Sequence, residues 1–319
     1  MRRVTAFVLL SSIVGRADAQ CLTTLFAANG GTSVGGAVYF DVDASRAVLV
    51  EAMESNFLAP AGTPVGLEVP LRSGTSVGLE SSPAGWTLVA RDDGTSVSGG
   101  WDVPTPIVLD PPARITAGLS GVGLVAIGSG HARTNGTATN ILHTDGTLTL
   151  RLGASSNVPF AGTTFQPRVW NGTLCYRPVL GDAVCSPAVP NSTGAPASIV
   201  ASGSASVADD DVRLTALGVP PGALVLGLAS RATANVPMPG GSQGTLCLGG
   251  SIGRFVQQAA AASPGGTAVI DVDLAAVPTP TGLVAVQPGE SWSFQAWYRD
   301  ANPGPTSNTS DGLRVTFCR

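Results

Sequence analysis

The chain has 319 residues and a formal net charge of −4, from 17 basic and 21 acidic residues, and every basic residue is arginine. Mild acidity with no arginine cluster beyond the first few residues excludes a nucleic-acid binder and a binder of anionic membrane surfaces, since both need basic patches. Only 12% of residues are charged and 44% are hydrophobic, which excludes a disordered chain, while 41 glycines and 24 prolines exclude long helices.

Residues 1–19 read as an export signal. A basic start, Met1-Arg2-Arg3, precedes an apolar run over 4–14 and a small-residue cleavage site, Ala17-Asp18-Ala19. The expected product starts at Gln20 and folds in an oxidising extracellular or periplasmic space, where cysteines can cross-link. The apolar run is shorter than the roughly 20 residues of a membrane span, and no later run is as long as a span requires. Cys21, just past the cleavage site, invites a lipoprotein reading, but Asp18-Ala19-Gln20 lacks the aliphatic residue near the start and the small residue just before the cysteine that lipidation requires. Loss of residues 1–19 removes three arginines and one aspartate and takes the net charge to about −6.

Short Val/Leu/Thr runs between turn signals fill the rest of the chain. The first module, residues 20–178, has strand-like runs at 37–42, 47–52, 65–69, 87–90, 107–109, 121–127, 147–152 and 164–170. Asp93-Gly94, Asn135-Gly136, Asp145-Gly146 and Asn171-Gly172 mark turns, because these pairs tolerate the positive φ of tight hairpins. Residues 179–196 read as a proline-rich linker leading into a second module, residues 197–319. Its runs are 197–201, 212–216, 223–229, 244–248, 267–274, 291–298 and 313–317. The fold class expected is all-β, with two antiparallel β-sandwich domains, jelly-roll-like or Ig-like. Gly-Thr-Ser-Val recurs at 31–34, 74–77 and 94–97. The spacing is irregular, so it reads as reused turn-into-strand chemistry rather than a solenoid repeat.

Several segments carry a resemblance. They are Phe26-Ala27-Ala28-Asn29-Gly30-Gly31, Gly35 to Asp41 and Phe165 to Gly172 in the first module. In the second they are Asn191-Ser192-Thr193-Gly194, Leu246 to Phe255 and Trp292 to Asp300. These stretches resemble recurring, uncharacterised β-sandwich modules of exported proteins from high-GC environmental bacteria, found there as accessory or carboxyl-terminal units. The resemblance implies a secreted accessory β-module and supplies no catalytic residue.

Five cysteines, an odd number, leave one without an intramolecular partner. Cys21 and Cys175 flank the first module, so a bond would tie its ends together. The resemblance pairs Cys185 with Cys247 and leaves Cys318 over; a Cys185–Cys318 clasp is the rival. No Cys-x-x-Cys pair supports a zinc knuckle.

The candidate chemistry is sparse. His131 and His143 read as exposed loop histidines; a Ser-His-Asp site would need one of them, and zinc would need a third ligand such as Asp145. Asp41/Asp43 and Asp271/Asp273 put carboxylates on one face of a strand, since side chains alternate. Asp92-Asp93 and Asp209-Asp210-Asp211 fall in turns. These are the places where oxygen ligands concentrate, so calcium is the one cofactor considered, against a reading as solvated turn carboxylates. Of five tryptophans, Trp86, Trp101, Trp170, Trp292 and Trp297, most belong in the cores. Trp292 and Trp297 point to opposite faces of one strand. Trp101, after Gly99-Gly100, reads as a loop residue. Trp101 and Trp297 are therefore the candidate stacking platforms for a sugar ring.

The function expected is that of a secreted, non-catalytic binding or structural protein contacting polysaccharide or other cell-envelope proteins. The alternative is a secreted hydrolase of glycans or esters using Asp41, Asp43, Asp93 or His131. Two carboxylates about 5–10 Å apart in an aromatic-lined cleft would favour the enzyme.

Overall fold

The computed structural model describes residues 19–302 and 304–319. The expected export signal, but for its last residue Ala19, lies outside the described residues. The chain is all-β: 57% of it is strand, and the only helical pieces among the described residues are two 3-10 turns, Pro239–Gly241 and Val256–Gln258. No described helix is long and apolar enough to cross a membrane.

Alternating side chains build two main hydrophobic cores, beside a small third cluster of Ala37, Tyr39 and Ala154. In the first, Phe40 and Val42 of the strand Ala37–Ala44 meet Val48, Val50 and Met53 of the strand Val48–Ser55. Leu67, Val122, Leu124, Leu150, Leu174 and Trp170 complete it, and Phe40 stacks on Trp170 with ring centroids 5.3 Å apart. In the second core, Ile199, Leu214 and Ile270 meet Trp292, Phe294, Tyr298, Leu313 and Val315.

One sheet serves both cores. Its strand order is Ala268–Val272, Val212–Leu217, Ser198–Gly203, Gly172–Leu180, Val48–Ser55, Thr105–Ile115, with Gln20–Thr23 also paired to Gly172–Leu180. The join is Gly172–Leu180. Its first seven residues pair with Val48–Ser55, and its last two, Val179 and Leu180, pair with Ser202 and Ala201. Residues 179–196 are accordingly more than a connector: 179–180 finish this strand, and Asp182–Val184 pairs with Pro305–Thr316 on the opposite sheet of the second core. Gly181 makes the corner between them. Its φ is +71°, and a Cβ there would lie 2.3 Å from the Arg314 carbonyl oxygen, so only glycine fits.

Polar contacts reinforce the join. Buried Arg177 pairs with buried Asp211. Arg213 reaches Glu51 at 2.9 Å and Asp271 at 3.0 Å. The Ser263 hydroxyl and the Gly265 N–H donate to the Asp110 carboxylate at 2.7 and 2.9 Å. The disulfide Cys21–Cys175 staples the first described strand to the same joining strand. A cysteine held in a disulfide has no sulfur left for a lipid, so this bond and the lipoprotein reading exclude each other.

Candidate binding cleft

The strand Ser291–Ala301 shows how the cleft arises. Its inward positions, Trp292, Phe294, Ala296 and Tyr298, are all buried in the second core. Its outward positions include Gln295 and Trp297. The neighbouring strand Leu224–Ser230 behaves the same way: Val225 and Ala229 face the core, while Leu226 and Leu228 face outward. Leu226 is the cross-strand partner of Trp297, Trp297 of Thr309, and Leu228 of Arg254. These residues form a contiguous patch on the outer face of the sheet.

A hairpin covers part of that patch. Its arms are Ala232–Pro237 and Thr245–Gly249. Gln295 clamps it: its side-chain amide donates to the Thr245 carbonyl and accepts from the Cys247 N–H. Thr309 adds a hydroxyl donated to the Thr245 carbonyl at 2.9 Å, and Ser242 one to the Ser307 carbonyl at 3.0 Å. Sheet and hairpin flank an open cleft of 360 Å³ lined by Leu226, Leu228, Leu246, Ile252, Pro239, Trp297 and Arg254, together with Ser242 and Thr309, whose hydroxyls are spent. Beside Arg254, Gly253 packs against the Pro278 carbonyl so closely that a Cβ has no room. Trp297 is half-buried, and the Arg299 guanidinium sits 5.1 Å from its ring centroid.

The other sequence-predicted residues lie elsewhere. Trp101 is 50% exposed in the loop between the strands Thr87–Val97 and Thr105–Ile115, outside this cleft. The acidic groups Asp209-Asp210-Asp211 and Asp271/Asp273 do converge, around a second cleft of 520 Å³ that also holds Arg177, Arg213 and Gln258. Each carboxylate there has a partner within the protein. Asp211 pairs with Arg177 and Asp271 with Arg213. Asp210 accepts from the Leu274 N–H, Asp209 from the Ser204 hydroxyl and Asp273 from the Ala275 N–H. Among the described residues no group of three or more His, Cys, Asp or Glu side chains is arranged to hold a metal ion.

The first-module carboxylates are structural caps. Asp41 is buried and accepts from the Thr75 hydroxyl, the Ser76 N–H and the Ser76 hydroxyl at 2.6–2.7 Å. Asp92 accepts from the Gly94 and Thr95 N–H groups and from the Thr95 and Ser96 hydroxyls. The second and third Gly-Thr-Ser-Val copies therefore do one job: their Thr-Ser pair wraps a buried aspartate. Asp43 is exposed, and exposed Asp93 pairs with Arg91 at 2.9 Å.

The reading of His131 as an exposed loop residue is corrected. Its ring is fully buried, 6.0 Å from the Phe57 ring and nearly parallel to it. Nε2–H donates to the Leu124 carbonyl at 3.0 Å, and Nδ1 has no partner. Burial pushes its pKa down to about 4, against which the Leu124 bond acts only weakly. A sealed histidine cannot reach a substrate. His143 is half-buried, with Nε2 on the Asn140 carbonyl at 3.1 Å.

Of the expected disulfides, Cys21–Cys175 is formed. Cys185, Cys247 and Cys318 are free thiols, which departs from the pairing the resemblance implied. Cys185 and Cys247 are nonetheless neighbours. Burial, and next the hydrogen bond to Cys185 and repulsion between the two sulfurs when ionised, push the Cys247 thiol well above its ordinary range. Cys318 is exposed.

Sequence reasoning missed the cleft residues around Trp297. A signal was present: Leu224-Val225-Leu226-Gly227-Leu228-Ala229 is apolar on both strand faces, the mark of a strand covered on both sides. Against known proteins, no family model matches the chain and no curated protein does.

Proposed function

We propose that the protein is an exported, non-catalytic binding protein of two β-sandwich units joined through one shared sheet, with the Trp297 cleft as its ligand seat. The observation that carries this reading is the separation of aromatic and acidic groups. Trp297 lines an apolar cleft without a carboxylate, and the acid-lined cleft has no aromatic residue. Hydrolysis of a glycoside needs paired carboxylates against the sugar, and in the second cleft the carboxylates are engaged with Arg177, Arg213 and backbone N–H groups. A half-buried indole at the mouth of an apolar cleft suits stacking on an apolar ligand face. The disulfide and the absence of any described membrane-crossing helix are compatible with the extracellular setting. Polysaccharide and envelope components are the partners this setting offers.

The test is a glycan array and a hydrolase substrate panel on the oxidised protein from Gln20 onward. Binding without turnover, abolished by Trp297→Ala and kept by Trp101→Ala, is the expected result. Turnover of any substrate, or binding indifferent to Trp297→Ala, would overturn it.

A further inference from the structure

The cleft around Trp297 has a chemistry of its own. Its body is apolar: Leu226, Leu228, Leu246, Ile252, Pro239 and the indole. The Ser242 and Thr309 hydroxyls in its lining donate to the Ser307 and Thr245 carbonyls, so neither has a proton to offer. One side chain in the lining is free to donate. Arg254 is exposed, and no hydrogen bond or ion pair to another described residue engages its guanidinium. Arg299, over the indole, likewise has no carboxylate of a described residue within ion-pair distance, and its guanidinium packs against the ring.

Four arginines elsewhere, Arg91, Arg177, Arg213 and Arg231, each pair with a carboxylate, whereas no ion pair to a described carboxylate neutralises Arg254 or Arg299. In a chain with more acidic than basic residues, two uncompensated guanidiniums at one cleft are a local excess of positive charge. A neutral sugar needs several hydrogen-bond partners around its ring, and this lining provides one donor side chain.

We infer, on the footing that Trp297 is the ligand seat, that the cleft binds a small amphipathic carboxylate, with an apolar ring or chain seated on Trp297, Leu226 and Leu228 and its carboxylate held by Arg254. Arg254 forks its paired N–H groups onto the two oxygens, the geometry in which guanidinium recognises carboxylate best. Arg299 adds long-range attraction and orients the indole. The apolar wall supplies affinity by removing the ligand's body from water, and the arginine supplies the discrimination between acid and neutral isostere.

The experiment is calorimetric titration of the oxidised protein with 2-naphthoate and with its neutral isostere 2-naphthamide, at low and at high salt. The expected result is a preference for the acid of about tenfold or more, the effect of one charge-assisted contact at an exposed guanidinium. The preference shrinks in high salt. Arg254→Gln, an exposed position whose replacement leaves the fold intact, abolishes the preference but keeps the amide's affinity. Trp297→Ala weakens both ligands. Equal affinity for acid and amide in the parent protein, an undiminished preference in Arg254→Gln, or no binding of either ligand would overturn the inference. A glycan bound through Trp297 without any preference for acidic sugars would also overturn it, while leaving the cleft as ligand seat. Binding of naphthoate that ignores Trp297→Ala would instead remove the ligand seat itself.

Discussion

Acidification should destabilise this fold through one residue, His131. The ring is sealed between Phe57 and the sheet, and its pKa in the folded state is about 4 against an ordinary value of 6.5. The folded state therefore holds the neutral ring, and the unfolded chain takes the proton first as pH falls. The stability this residue provides is complete above pH 6.5 and is lost progressively down to pH 4. At about 1.36 kcal/mol per pKa unit, the full loss is about 3 kcal/mol, of which about 2 kcal/mol has gone by pH 5. The window from pH 7.5 to 5 lies above the ordinary carboxylate range and spans the ordinary imidazole value. Asp311 acts in the opposite sense, because burial raises its pKa and the folded state then takes up its proton first. That contribution is common to parent and variant, so the comparison cancels it. Urea denaturation at pH 7.5 and 5.0 of the parent and of His131→Gln, whose amide can still donate to the Leu124 carbonyl, measures the difference. The parent should lose about 2 kcal/mol more than the variant. The chain has two histidines, so proton NMR gives a direct check with only two imidazoles to follow. Equal losses in parent and variant, or a His131 imidazole that titrates at its ordinary value of 6.5, would refute the reasoning.

Three further outcomes are expected. Replacing Cys21 and Cys175 by serine opens a loop with a sequence separation of 154 residues and should lower the unfolding free energy by about 2–5 kcal/mol in urea melts; an unchanged midpoint would show that the strand pairing of Gln20–Thr23 suffices alone. Mild oxidation should link the neighbouring thiols of Cys185 and Cys247 and leave exposed Cys318 open to alkylation, as read by non-reducing peptide mapping; a Cys185–Cys318 peptide would contradict the geometry. Melting curves in millimolar calcium and in EDTA should overlay, because Asp92, Asp209, Asp210, Asp211, Asp271 and Asp273 already have partners within the protein; a calcium-induced rise of several degrees would return those carboxylates to the metal reading.

Much of this architecture is readable from residue order. Each strand-like run marked in the sequence lies within or overlaps an observed strand. Asp145-Gly146 is the expected hairpin turn between paired strands, whereas Asp92-Asp93-Gly94, expected in a turn, is a bulge inside the strand Thr87–Val97, where the Asp92 carboxylate caps the extra residues. The opposite fates of Trp292 and Trp297 follow from strand alternation alone. What local pattern could not give is pairing between distant strands. Gly172–Leu180 contains Pro178 and runs into proline-rich sequence, so it reads as the end of a unit, yet it is the strand on which both cores hang. The convergence of Asp211 on Arg177 and of Asp271 on Arg213 depends on that join, and no spacing encodes it. His131 misled for a related reason: Gly128-Ser129-Gly130 before it signals a loop, and the loop is folded inward over Phe57. The cleft residues needed the apolar run 224–229 to be read as a strand covered on both faces.

The most direct test of the ligand seat is a two-dimensional NMR titration of the tryptophan indole N–H groups. The chain has five tryptophans, hence five resonances, and Trp297→Phe identifies one of them. Titration with the strongest binder from the array or the carboxylate series should move the Trp297 indole resonance in a saturable manner and leave that of core-bound Trp292 in place. A saturable shift at Trp101, with Trp297 unmoved, would contradict the account and move the ligand seat to the first module.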